Sequence, residues 1–165
     1  TDQARNICEE TLFAVAGQPK RPRQRHSLFL DERDCCVAPL AAALARKAYP
    51  DSGRYDSAGW NPGLAVDATT LSYMAAHGLS SEGHTPRGIV TEHEALAAWD
   101  LIISLAGDAR VRLPELPFRT VLLTWPVGLP GEDTPPDRDQ LSALHRELAQ
   151  RLHELMDVLV GEQAG

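Results

Sequence analysis

The chain of 165 residues is 43% hydrophobic and 24% charged, with a formal net charge of −7. A domain of this size buries enough surface to fold without cross-links, and its three cysteines do not form a disulfide framework. The negative charge argues against general nucleic-acid binding, and no apolar run approaches the ~20 residues of a membrane span. We therefore expect a cytoplasmic protein.

The first 26 residues differ in character from the rest. Asp2–Ala16 places its apolar residues at helical spacing, whereas Gln18–His26 is basic, interrupted by prolines and without core residues. We divide the chain into an N-terminal amphipathic helix with a basic linker, residues 1–26, and a main domain, residues 27–165. The helix has an apolar face that needs a surface to cover it. We expect it to join the domain to a protein partner or a covalently linked domain, or to form a homodimer.

The main domain alternates short apolar runs with stretches of helical spacing. The apolar runs predict strands at Ser27–Leu30, Arg54–Ala58, Leu101–Leu105 and Thr120–Thr124. The other stretches predict helices at about Ala38–Tyr49, at Val66–His77, within Gly88–Ala97 and at Asp139–Val160. This alternation predicts an α/β fold, a three-layer α/β/α sandwich with a parallel four-stranded sheet, plus the N-terminal helix.

The segment Ser27–Pro39, SLFLDERDCCVAP, joins the first strand to the first helix. A loop in this position is where α/β proteins bind anions, because free backbone N–H groups point into it. Here the loop carries three carboxylates, Asp31, Glu32 and Asp34, which would repel an incoming anion. We expect one of them to accept the N–H bonds of the loop itself, in place of an external anion.

Four further motifs follow the loop. They are Ser57-Ala58-Gly59 after the second strand, Gly78-Leu79 followed by His84, Gly107-Asp108-Ala109 after the third strand, and Thr124-Trp125-Pro126 before a proline-rich loop. Together with Ser27–Pro39, their order makes the chain as far as about Met156 resemble the low-molecular-weight protein tyrosine phosphatases. Within that family it is similar to the thioredoxin-coupled arsenate reductases. The resemblance implies the three-layer fold of the family.

The departures from the family pattern fall on its chemical groups. The family loop reads Cys-x-Gly-Asn-x-Cys-Arg-Ser-Pro, which places Asp31 at the nucleophilic cysteine, Val37 at the phosphate-binding arginine and Ala38 at the serine. The resemblance also places Leu129 at the general acid, and Ala106 and Leu113 at the redox cysteines of the reductases. It therefore implies a catalytically inactive phosphatase-like domain with a binding or regulatory role through protein–protein interaction, and no catalytic residue.

Two other chemistries stay open for the loop. Asp31 could be the nucleophile of an enzyme with altered chemistry, an aspartyl-based or metal-dependent phosphoryl transfer in which the loop carboxylates bind a cation such as Mg²⁺. Cys35 and Cys36 could form a redox sensor, although nearby carboxylates raise the pKa of a thiol. A thiol phosphatase is not expected, because the residues six positions after Cys8, Cys35 and Cys36 are alanines rather than arginines.

The predicted site is thus a degenerate phosphate loop and the rim of a pocket. The loop comprises Asp31, Glu32, Arg33, Asp34, Cys35, Cys36, Val37 and Ala38, and the rim comprises Ser57, Trp60, Asn61, Trp125 and Leu129. The histidines have no spacing typical of a local metal site. We expect neither a metal nor a cofactor.

Overall fold

The computed structural model describes residues 25–80, 84–105, 107, 109–113, 115–125, 127 and 136–164. The predicted N-terminal helix, the linker as far as residue 24, Ala106 and Leu129 lie outside the described residues. The strands are β1 (Arg25–Asp31), β2 (Gly53–Gly59), β3 (Leu101–Ser104) and β4 (Val121–Thr124). The α-helices are α1 (Val37–Ala48), α2 (Ala68–Ala76), α3 (His93–Leu96) and α4 (Arg138–Ala164), and a 3₁₀ helix occupies Ala109–Val111.

The strands form a parallel sheet in the order β2-β1-β3-β4. β1 is central because Leu28, Phe29 and Leu30 are apolar on both faces, and all three are almost completely buried. The chain passes from β1 to β2 on one side and later returns to β3 on the other. The carboxyl end of β1 therefore lies where the strand order reverses, which is where open α/β sheets bind their ligands.

Helices cover both faces of the sheet, which confirms the predicted three-layer sandwich. On one face the core joins Phe29 and Ile103 to side chains of α1, α2 and α4. On the other face, Leu28 and Ile102 share a core with Leu96 of α3. The leucine repeat predicted for the last helix supplies its buried side, at Leu141, Leu144, Leu148, Leu152 and Leu159. Among the described residues, no helix combines the length and the apolar character needed to cross a membrane.

The first strand begins earlier than predicted. Arg25 and His26 pair in register with Gly53 and Arg54 of β2, so assigning them to the linker was wrong. The His26 amide also donates a hydrogen bond to Oδ2 of Asp100, at 2.8 Å. These backbone bonds bring a basic sequence, which has no apolar signal of its own, into the sheet.

The helix predicted within Gly88–Ala97 is confined to the short α3. The residues before it are extended because their backbone pairs with the end of β2. The Gly59 amide donates to the Arg87 carbonyl at 2.9 Å, and the Ile89 amide donates to the Gly59 carbonyl at 3.1 Å. This pairing brings the segment that begins at His84 beside the loop that follows β1.

Candidate functional site

The loop between β1 and α1 closes around the carboxylate of Asp31. This residue ends β1 and is 6% exposed. Its Oδ1 accepts the Asp34 amide at 2.5 Å, and its Oδ2 accepts the amide of Ala38, in the first turn of α1, at 2.9 Å. The first N–H groups of a helix have no intrahelical acceptor and favour negative charge. Asp31 is therefore the loop carboxylate that occupies the place expected for an external anion.

Two opposing effects set the pKa of Asp31. Burial disfavours the charged form and is the larger effect, while the hydrogen bonds from Ala38 and Asp34 favour the charged form. Together these effects raise the pKa of Asp31 from 3.8 to about 6. The carboxyl group is therefore ionised at neutral pH, and the loop then contains a negative charge of its own.

Asp34 is completely buried and binds the segment after β2. Its Oδ2 lies 2.7 Å from Nε2 of His84 and accepts the Arg87 amide at 3.1 Å. Asp34 has a φ of 55°, in the left-handed region that aspartate adopts more readily than most residues. The Asp34 side chain thus contacts the segment that begins at His84, while its own backbone amide is one of the two that hold Asp31.

Ser57, His84 and Asp34 meet without forming a catalytic triad. Ser57 Oγ lies 3.1 Å from Nε2 of His84, the same nitrogen that contacts Asp34. In a triad, the nucleophile and the acid contact opposite nitrogens of the imidazole ring. Ser57 is also only 2% exposed. His84 was noticed in the sequence as a family motif but not as a site residue, and its contacts give it a role in holding Asp34.

Glu32 crosses from the loop to two other segments. Its Oε1 accepts a hydrogen bond from Nδ2 of Asn61 at 2.6 Å, and its Oε2 accepts one from Nη1 of Arg112 at 2.8 Å. The Arg112 guanidinium lies over the Trp60 ring, 4.6 Å from its centroid. The bonds from Arg112 and Asn61 lower the pKa of Glu32. Arg112 was not predicted as a site residue, because no motif includes it and its one signal is that it follows the carboxyl end of β3.

The segment after β2 is bound along its backbone to the loop. Three amides of this segment donate to carbonyls of the loop, Trp60 to Asp31, Asn61 to Glu32 and Gly63 to Arg33, at 3.0, 2.7 and 2.9 Å. A β-carbon at Gly63 would lie 2.4 Å from Sγ of Cys35, so a larger residue there would require the Cys35 thiol to move. The predicted rim residues Ser57, Trp60 and Asn61 thus lie beside the loop.

Trp125 belongs to the hydrophobic core rather than to an exposed rim. It is 7% exposed, and its ring centroid lies 6.0 Å from that of Phe29. Its prediction as a rim residue was wrong because the tryptophan ring fills the face of the sheet that α1 and α4 cover. Val37, in the first turn of α1, is also buried in this core and offers no charge to the loop.

Cys35 and Cys36 are buried free thiols. Cys35 Sγ lies 3.3 Å from the carbonyl oxygen of Arg33. Burial is the main effect that raises the pKa of both thiols, that of Cys36 to about 12. A reactive cysteine needs a lowered pKa, because the thiolate is the nucleophile. Neither thiol is therefore activated in this structure.

The three loop carboxylates do not converge on one point. Asp31 binds the loop amides, Glu32 binds Asn61 and Arg112, and Asp34 contacts His84. Within the described ranges, no group of three or more histidine, cysteine, aspartate or glutamate side chains is placed to hold a metal ion. The hypothesis that these carboxylates ligate one cation therefore has no support from their geometry.

A family model described as low molecular weight phosphotyrosine protein phosphatase matches residues 27–122. Among solved structures, the thioredoxin-dependent arsenate reductase of Corynebacterium glutamicum has a TM-score of 0.65 at 22% identity, covering 92% of this chain and 69% of that one. An arsenate reductase of Archaeoglobus fulgidus has a TM-score of 0.63 at 22% identity, over 78% and 97% of the two chains. The tyrosine phosphatase Wzb of Escherichia coli K30, in complex with sulphate, has a TM-score of 0.66 at 17% identity, over 83% and 99%. The family model matches more than half of the chain, and the fold agrees with it. The chain therefore belongs to the low molecular weight phosphotyrosine protein phosphatase family.

Proposed function

We propose that this chain is a catalytically inactive phosphatase-like domain whose role is binding or regulation through a protein partner. The observation that carries the proposal is the Asp31 carboxylate, which accepts the amides of Asp34 and Ala38. The resemblance assigns the family's nucleophile to this position. An internal carboxylate on these amides uses the donors that would otherwise hold the oxygens of a substrate.

The position of the phosphate-binding arginine supports the same proposal. The resemblance assigns this role to Val37, which is 3% exposed and apolar. A phosphate beside the ionised Asp31 would therefore meet like charge without a guanidinium at the family's position. Two unit charges about 4 Å apart repel by ~1 to 4 kcal/mol, depending on how well water screens them.

Phosphoryl transfer to Asp31 is less well supported. A carboxylate nucleophile must reach the phosphorus atom and needs nearby groups that neutralise charge. Asp31 is 6% exposed, and both of its oxygens accept backbone amides. Glu32 and Asp34 are engaged with other segments, so neither is turned towards a phosphoryl group at Asp31.

A redox role for Cys35 and Cys36 is also less well supported, because burial raises the pKa of both thiols.

The proposal includes a cytoplasmic location. It is supported by the two thiols, which are unpaired in the described part of the chain, as is usual in a reducing compartment.

The test is turnover with two substrates, an aryl phosphate and arsenate in the presence of thioredoxin and its reductase. An active low-molecular-weight phosphatase and an active arsenate reductase serve as positive controls. We expect the rate with this chain to equal that without protein for both substrates. Turnover above this background that is abolished by Cys36→Ser or by Asp31→Asn would overturn the proposal and would identify the nucleophile.

A further inference from the structure

Four side chains from three segments meet beside the loop. Glu32 follows β1, Trp60 and Asn61 follow β2, and Arg112 follows β3. The carboxyl ends of neighbouring parallel strands lie at one edge of a sheet, where ligands of open α/β sheets bind. At this edge the Asn61 amide and the Arg112 guanidinium both donate to the Glu32 carboxylate, at 2.6 and 2.8 Å.

This arrangement is a carboxylate-binding site whose occupant comes from the chain itself. The Trp60 ring supports one face of the Arg112 guanidinium, which leaves its planar set of N–H donors facing a carboxylate. The side chains of Glu32 and Arg112 are 32% and 42% exposed. An ion pair this accessible to water contributes little stability, so a carboxylate from another molecule can replace Glu32.

The segments around this site carry exposed apolar and arginine side chains. Leu64, in the segment after β2, is 99% exposed, and Val111, adjacent to Arg112, is 83% exposed. Arg33 and Arg110 are exposed in the same segments. Carboxylates lie among these arginines, since Arg33 is close enough to Asp67 to act on its pKa and Glu115, also exposed, follows Arg112 in the chain. Exposed apolar residues among polar and arginine side chains are typical of protein interaction sites.

We propose that this surface docks an acidic segment of a protein partner. A carboxylate of that segment replaces Glu32 on Arg112 and Asn61, and an apolar side chain of the segment covers Leu64 and Val111. The inference names the class of partner for the binding role proposed above, and it rests on that role. Glu32 then acts as an internal competitor that the partner must displace.

The test uses a defined array of synthetic peptides of equal length in four classes: acidic with leucines, acidic without apolar residues, basic with leucines, and neutral. We expect wild-type protein to retain the acidic peptides with leucines. Fluorescence anisotropy on the strongest of these should show Glu32→Gln binding about threefold more tightly, because the competing ion pair is lost. Arg112→Gln should bind at least about tenfold more weakly, as expected for the central contact of an interface.

Arg119→Gln is the matched control, because Arg119 is an exposed arginine just before β4, at the opposite edge of the sheet. Its affinity should equal that of the wild type. Leu64→Ser removes the apolar contact without adding charge, at a position so exposed that folding is unaffected, and it should weaken binding. Thermal unfolding of each variant checks that the fold is intact.

Three outcomes would overturn the inference: no peptide binds, the best peptides are basic or neutral, or Arg112→Gln and Arg119→Gln have the same effect. Concentration-dependent dimerisation that Arg112→Gln abolishes would also overturn it, since the occupant would then be a second copy of this chain. None of these outcomes changes the turnover measurements, so failure of this inference is distinguishable from failure of the proposed inactivity.

Discussion

Replacing Asp31 with asparagine removes a titrating group from the loop while keeping the size of the side chain. The pKa of Asp31 is raised from 3.8 to about 6 in the folded chain, so the folded state binds this proton more tightly than the unfolded state does. The resulting stabilisation is complete below pH 3.8 and is lost as the pH rises through about 6. A shift of about 2 pKa units corresponds to ~3 kcal/mol in the free energy of unfolding.

The assay is urea unfolding followed by tryptophan fluorescence, for the wild type and Asp31→Asn, at a series of pH values from about 4 to about 8. The difference between the two proteins cancels the titration of all other groups. We expect the free energy of unfolding of the wild type, relative to the variant, to fall by ~2.5 kcal/mol between about pH 4 and pH 7, most of the full shift. Glu32→Gln should show the opposite sign, because the pKa of Glu32 is lowered by Arg112 and Asn61.

A difference that does not change with pH would contradict this prediction, because burial would then have no net effect on the pKa of Asp31. A difference that rises with pH would mean that the two amide hydrogen bonds outweigh burial and lower the pKa. Either result would change the assigned pKa of Asp31. Whether its carboxylate occupies the place of an anion is tested separately, by phosphate binding to Asp31→Gly.

Three further predictions concern the loop and one helix contact. Asp31→Gly leaves two loop amides without their internal acceptor, so millimolar phosphate should raise the melting temperature of this variant and not that of the wild type at neutral pH; equal shifts would contradict the account. Asp34→Ala should lower the free energy of unfolding in urea by ~3 kcal/mol, because it leaves His84 beside a cavity and puts alanine at a positive φ; a loss below ~1 kcal/mol would show that this contact is not structural. Burial lowers the pKa of His145 from 6.5, and its Nδ1 lies 2.8 Å from the Tyr73 hydroxyl. The contribution of the neutral ring is complete above pH 6.5 and is lost as the pH falls, so an NMR titration of His145 with its midpoint above 6.5 would refute this assignment.

Much of the fold could be predicted because its signals are local. Leu101–Leu105 reads as a buried strand, and the leucine repeat from Leu141 reads as a helix with one apolar side. The order of short motifs supplied the connectivity. Local signals did not predict the start of β1, because it depends on tertiary contacts. Arg25 and His26 carry no apolar pattern, and they join the sheet through hydrogen bonds to β2 and Asp100.

The sequence predicted where the site lies, but it did not predict which side chains contact one another there. The sequence indicates that a loop with three carboxylates must satisfy its own amides, but the three look equivalent. Only the folded chain directs Glu32 to Arg112, eighty positions away, and Asp34 to His84, fifty positions away. Asp31 then remains with the loop amides, because it ends β1 at the point where the loop begins.

The proposed inactivity is tested most directly by a search for a covalent phosphoryl intermediate. The wild-type chain is mixed with a large excess of an activated aryl phosphate, quenched in acid after a short time and after a long time, and measured by intact-protein mass spectrometry. An active low-molecular-weight phosphatase, handled identically, shows that the intermediate survives the quench. We expect the mass of this chain to stay unchanged at both times. A gain of one phosphoryl group that Asp31→Asn or Cys36→Ser eliminates would contradict it.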